Sequence, residues 1–191
     1  MTNKSHNWLK DLVVLVPFTR DYAGEFSGTY LAKALQLPQK TVARKLDNLS
    51  RFHLLSYRTD GKNKYYSLDK DISFTLIQII ESSKEVKFLL EYPELYLLFK
   101  DISLISPVIL FGSYAKGLAK EGSDLDLIIM GRKNKTMDKI ISRCPIKISA
   151  EYLSYQLLNT RLREKQALAL EIVKDHILFG DKDDIIKLFK K

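Results

Sequence analysis

Cysteine occurs once, at Cys144, and histidine three times, at His6, His53 and His176. One thiol excludes an internal disulfide and a cysteine-built zinc site, and three histidines this far apart carry no ligand spacing. A metal, if the protein uses one, has to sit on carboxylates. Long uncharged runs are missing too: the early apolar stretch "WLKDLVVLVPF" is interrupted by Lys10 and Asp11, and nothing reaches the roughly 18 apolar residues needed to span a bilayer. The expectation is a soluble, cytoplasmic protein with no membrane partner. No Gly- or Ser-rich linker appears either, and with 191 residues at 46% hydrophobic content both one core and two small ones are open.

What is present is positive charge, unevenly spread. Of the net +8, residues 1–70 hold +6, from twelve Lys and Arg against six Asp and Glu, and the remaining residues hold +2. A basic first third on a near-neutral remainder suggests an anionic partner, with nucleic acid the usual one. The pattern of residues supports a place for it. Trp8, Leu12, Leu15 and Val16 recur at helical spacing; Ser27 is an N-cap before "GTYLAKALQL", with Leu31, Ala34 and Leu35 as its apolar stripe; Pro38 opens a third helix that turns Val42, Leu46 and Leu49 inward. That third helix turns Gln39, Lys40, Thr41, Arg44, Lys45 and Asn48 outward, a set able to hold phosphates and reach base edges. Asp60-Gly61 then marks a hairpin whose tip carries Arg58, Lys62, Asn63 and Lys64.

The order helix, helix, basic helix, basic hairpin resembles the winged helix-turn-helix family over about residues 7–70. The resemblance implies double-stranded DNA as partner, with the 38–52 helix in the major groove and the hairpin as a wing on the backbone. Beyond a boundary near residue 70, "DISFTLIQIIESSKEVKFLLEYPELYLLFKDIS" has helical spacing broken by Pro93. These connecting helices could pack a homodimer, tether two domains, or belong to the second core, which is the commonest case.

The densest signal is "PVILFGSYAKGLAKEGSDLDLIIM", Pro107 to Met130, with three of the eight glycines. "PVILF" reads as a short buried strand broken by Gly112-Ser113, where free backbone N–H groups, the Ser113 hydroxyl and the Lys116 charge suit an anion such as a triphosphate. "DLDLIIM" reads as a strand with Asp124 and Asp126 on one face, about 7 Å apart along it. Two such carboxylates repel each other unless a cation lies between them. Magnesium suits the place, because it prefers oxygen ligands and keeps waters or substrate phosphates.

Gly112-Ser113, ten residues, then Asp124-x-Asp126 between apolar strands resembles the nucleotidyltransferase superfamily typified by DNA polymerase β. The wording "GSYAKG" is most similar to its minimal branch, related to antibiotic nucleotidyltransferases and to antitoxins of paired toxin systems. The resemblance covers about residues 95–190. It implies that Gly112 and Ser113 bind the triphosphate of ATP or another nucleotide, that Asp124 and Asp126 ligate two Mg2+ ions, and that a third carboxylate on a neighbouring strand serves the acceptor hydroxyl. That strand is expected at "IKISAEYL", where Ile146, Ile148 and Ala150 form the apolar face and Lys147, Ser149 and Glu151 the other. Glu151 is the one acid there, although the expected position lies nearer Lys147, whose ammonium would neutralise the aspartates without chemistry.

The expected architecture is α/β (α+β): a winged helix-turn-helix DNA-binding domain at 1–70, then a helical connector and a polymerase β-like nucleotidyltransferase domain with a small mixed sheet at 71–191. Two functions stay open. One is transfer of a nucleoside monophosphate to an acceptor hydroxyl, coupled to DNA binding. The other is a transcription regulator or antitoxin-like protein, with a toxin or other protein partner, whose C-terminal domain binds nucleotide without turnover.

Overall fold

In the computed structural model of the protein, residues 9–69 and 74–190 are described. The chain divides into two compact units, Met1–Ile80 and Glu81–Lys191. Trp8 and the boundary expected near residue 70 fall outside the described residues.

The first unit starts with α1 (Leu9–Leu12), which tightens into a 3₁₀ segment, Val13–Arg20, containing Pro17. Val14, Leu15 and Phe18 are fully buried. A two-residue strand β1 (Phe26–Ser27) leads into α2 (Gly28–Leu35), and the Ser27 side chain caps it by accepting from the Tyr30 amide at 3.1 Å. Pro38 caps α3 (Gln39–Arg51) from outside, its fixed φ already suiting the turn. The inward residues of α3 are those the spacing predicts, Val42, Leu46 and Leu49. On α2 the stripe differs: Leu31 and Ala32 are buried while Ala34 is exposed.

β2 (Leu55–Asp60) and β3 (Asn63–Leu68) form the expected hairpin, with Gly61 at φ +57 in its two-residue loop, a conformation an L side chain resists. β1 pairs with β3, giving a three-stranded antiparallel sheet in the order β1-β3-β2. Helix, helix, helix and a sheet-bound hairpin make this unit a winged helix-turn-helix.

Helix α4 (Phe74–Glu91) runs through the division between the units. In the second unit a 3₁₀ turn at Pro93–Leu95 precedes α5 (Tyr96–Ser103), then β4 (Val108–Phe111), α6 (Gly112–Ala115), β5 (Leu125–Met130), α7 (Lys135–Ile141), β6 (Ile148–Leu153), α8 (Tyr155–Arg163), α9 (Ala167–Lys174), β7 (Ile177–Phe179) and α10 (Asp183–Phe189). The sheet order is β6-β5-β4-β7, mixed as expected, with β5 and β6 parallel and the other pairs antiparallel. One face carries Val108, Leu110, Leu125, Leu127, Ile177 and Phe179 into a core with Phe88, Leu98, Phe99 and Met137. Phe99 stacks on Phe179 at 3.8 Å, and Phe88 meets both edge-on. On the other face Ile109, Ile128 and Leu178 are also fully buried.

Ile177 belongs to β7, although its spacing from Leu168 and Ile172 predicts a continuing helix. Asp175 is extended and ends α9, and the short run Ile177–Phe179 is buried on every residue; so short an apolar run has no readable period.

A buried charge cluster ties α4 to the end of α9. Glu81 accepts from Lys84 Nζ at 2.8 Å and lies 3.2 Å from His176 Nε2, while His176 Nδ1 faces the Ile172 and Val173 carbonyls at 3.0 Å. Both ring nitrogens thus face oxygen atoms. Burial alone would raise the Glu81 carboxyl, but the His176 and Lys84 charges overcome it and pull it down to about 2. A carboxyl held below its ordinary value of 4.5 stabilises the fold above that pH and ceases to do so as the pH falls toward 2. Glu81→Ala should cost about 3–5 kcal/mol, the range for stranding a buried charge, and should make the fall in stability over that acid range shallower. Urea unfolding of parent and variant between those pH values measures both effects.

Candidate functional site

β4 ends at Phe111, which pairs with Asp126 of β5. That register brings the turn after β4 against the acidic start of β5. Gly112 turns the chain at φ +71, and a Cβ built there would fall on the Asp126 carboxylate. Only glycine leaves room for that carboxylate so close to the turn. Ser113 follows in the first turn of α6, where N–H groups lack intrahelical acceptors. Tyr114 is buried and meets Tyr92 edge-on at 5.2 Å, which holds this turn onto the core. Lys116 closes the turn, its amide donating to the Gly112 carbonyl at 3.2 Å. Its ammonium lies on Glu171 of α9 at 2.5 Å, and the hydrogen bond from Lys116 to that carboxylate raises the lysine further above its ordinary value.

Asp124 and Asp126 share the sheet face opposite the Leu125 and Leu127 side chains, as strand alternation requires. The Asp126 carboxyl is raised by burial, then by the charges of Asp124 and Glu171, with Lys147 opposing. Asp124 accepts from Lys147 Nζ at 2.5 Å. The β5–β6 register sets Ser149 beside Asp126 and Glu151 beside Ile128, so Glu151 stands about 7 Å further along the strand than Ser149. Its carboxylate is engaged by Arg161 at 2.7 Å. The fold therefore brings together Gly112, Ser113, Lys116, Asp124 and Asp126, and does not bring Glu151 to them. Lys147 stands at Asp124, where the sequence put it, and the fold adds Glu171. Glu171 carries no motif; it sits in an amphipathic tail 45 residues after Asp126, and only the packing of α9 reveals it. Among the described residues no three His, Cys, Asp or Glu side chains come together as a metal-holding group.

On the first unit, Lys40, Arg44, Asn48 and Arg51 of α3 line one concavity with Ala43, Asp47 and Asp11. Arg51, absent from the sequence-based set, extends the basic face by a further turn. Lys45 does not belong to that face: its ammonium pairs with Asp11 at 2.9 Å with both side chains nearly buried, and Asn48 also reaches Asp11, at 3.4 Å. The reason is geometric, since α1 packs on α3 and sets Asp11 against Lys45. Gln39 donates to Thr29 at 3.0 Å, and Thr41 is half-buried. On the wing, Lys62 and Asn63 are exposed at the tip, Arg58 pairs with Glu25 at 2.6 Å, and Lys64 pairs with Asp47 at 3.3 Å.

Comparison with known families matches residues 94–191 to the nucleotidyltransferase domain (NTP_transf_2). The chain belongs to the nucleotidyltransferase domain family. No curated protein matches it. Similar solved structures include reduced HlyU from Vibrio cholerae N16961 (22% identity, 41% of this chain and 82% of that one, TM-score 0.31) and NolR from Sinorhizobium fredii (20%, 45% and 93%, 0.30). TrmBL2, an archaeal chromatin protein, aligns at 13% identity over 98% of this chain and 92% of its own, with a TM-score of 0.27. The winged-helix assignment stands on the element order and sheet register of the first unit itself. In the nucleotidyltransferase domain the acidic pair and the Gly-Ser turn meet at one point, the Gly112 backbone.

Gly112→Ala and Gly117→Ala both force a side chain into positive φ, at +71 and +66, but a Cβ on Gly117 meets nothing within 4 Å. Gly117→Ala should cost about 1–2 kcal/mol of strain. Gly112→Ala should cost more and displace the Asp126 carboxylate. Paired urea unfolding curves, with the crystal structure of the Gly112 variant, give the comparison.

Proposed function

We propose that the protein transfers a nucleoside monophosphate from a nucleoside triphosphate to an acceptor hydroxyl while its winged helix holds double-stranded DNA. The observation that carries this reading is the Asp126 carboxylate packed on Gly112, beside Asp124. Gly112 and Ser113 offer backbone N–H groups and a hydroxyl to the triphosphate, and Lys116 offers a charge. Asp124 and Asp126 would hold Mg2+, whose remaining ligands come from water and phosphate oxygens. The metal, when bound, supplies charge neutralisation at the phosphates and activation of the attacking oxygen. Lys147 does not bar it, because an exposed ion pair contributes little and its side chain is 79% exposed. Ser149 stands beside Asp126 on the neighbouring strand.

One observation favours a second reading. Lys147 stands beside Asp124, where the third carboxylate of the superfamily is expected, and its ammonium already pairs with that aspartate. On that reading the chain is a DNA-binding regulator or antitoxin-like protein that binds nucleotide or a protein partner without turnover. Among the described residues no helix is long and apolar enough to cross a membrane.

The two readings share a binding prediction and differ on turnover. Asp124→Ala with Asp126→Ala should abolish magnesium-dependent ATP binding by calorimetry while the protein stays folded, because carboxylate repulsion is relieved. Unchanged affinity would remove the metal assignment. Incubation of the parent with labelled nucleoside triphosphates, magnesium and cell extract should label an acceptor if it is a transferase. For DNA, affinity of the whole chain should fall with salt at a log-log slope of about 0.9 per phosphate neutralised. Lys40→Ala with Lys62→Ala should flatten that slope, and Arg44→Ala should cost about 1–3 kcal/mol on the preferred site only. Lys45→Ala should instead lower thermal stability and leave the slope alone. A slope of zero in the parent would assign the basic face to protein contacts.

A further inference from the structure

Lys116 is fixed to the Gly-Ser turn through its own amide, yet its side chain is committed elsewhere. The ammonium lies 2.5 Å from the Glu171 carboxylate, which α9 delivers from 55 residues further along the chain. The two side chains are 31% and 47% exposed, so the pair lies in reach of solutes.

We propose that Glu171 is a built-in competitor for the triphosphate: it pairs with Lys116, and the phosphates of the nucleotide take Lys116 from it. The proposal rests on the phosphate-binding reading of Gly112, Ser113 and Lys116 and adds the residue that sets how tightly phosphate is held. A carboxylate offers Lys116 one negative charge, whereas a triphosphate offers several together with the amides of Gly112 and Ser113. An exposed pair of this kind is weak enough to exchange, and a lysine, with its flexible stem and compact charge, suits the exchange. Glu171 acts through Lys116 and is a positioning residue.

The competition has a sign that structural damage cannot imitate, since removing Glu171 should tighten binding. Inorganic tripolyphosphate with magnesium is the probe, as it carries the phosphates without an unknown base, and calorimetry on the full chain is the measurement. Glu171→Gln should bind it about two- to five-fold more tightly than the parent, the range an exposed ion pair covers. Lys116→Ala should bind it more weakly. In Lys116→Ala the further change Glu171→Gln should bring no gain, because the competed group is gone. Glu171→Asp, which keeps the charge, should stay at or near the parent's affinity. Equal or weaker binding by Glu171→Gln overturns the proposal, as does a gain that persists without Lys116. A parent that binds no tripolyphosphate overturns the phosphate-binding reading and this proposal with it, whereas binding without the Glu171 effect overturns the competitor alone.

Discussion

The Asp126 carboxylate occupies the space that a side chain on Gly112 would need, and the second unit is arranged around that contact. The antiparallel register of β4 and β5 sets Phe111 against Asp126, so the turn leaving one strand meets the acid entering the other. Tyr114 on Tyr92, and the Phe88, Phe99 and Phe179 cluster beneath, fix the turn and the strand ends to one core. Shifting the register by one residue would send Asp126 to the apolar face. The contact therefore couples the packing of the sheet to the chemistry of the site.

Burial divides the ion pairs into two kinds. Lys45 on Asp11 and the Glu81, Lys84 and His176 cluster are buried or nearly so and hold elements together. Lys147 on Asp124, Lys116 on Glu171, Arg58 on Glu25 and Lys64 on Asp47 have at least one partner well exposed to water. Pairs of the second kind contribute little to stability, and each holds a cation that a phosphate group could claim. The nucleotide site and the wing thus each carry cations held by contacts that a ligand can exchange.

Much of this was legible in the sequence because it is local. Asp60-Gly61 between alternating runs fixes a hairpin, Ser27 before an apolar stripe fixes a helix start, and Gly112-Ser113 with Asp124 and Asp126 declares two strand ends. The alternation that places Ile148 and Ala150 inward and Ser149 and Glu151 on the other face also follows from the period alone. What was hidden depends on contacts distant in sequence. β1 is two residues long and exists only through pairing with β3. β7 is three buried residues after a helical stretch, too short to show a period. Glu151 carries the right chemistry, but the β5–β6 register offsets it from Asp126 and gives it Arg161. Lys45 carries the right charge, but Asp11, 34 residues earlier, takes it. Glu171 had no local signal at all.

The central claim is that phosphate and metal meet at the junction of the Gly112 turn and the Asp124-Leu125-Asp126 strand start. The most direct measurement is the amide NMR spectrum of the full chain as ATP with Mn2+, a paramagnetic stand-in for Mg2+, is added at substoichiometric metal. The account predicts that the signals of residues 112–116 and 124–126 broaden first and that those of Arg161 and Glu151 outlast them. Broadening that begins elsewhere, or that is the same without ATP and after Asp124→Ala with Asp126→Ala, would contradict it.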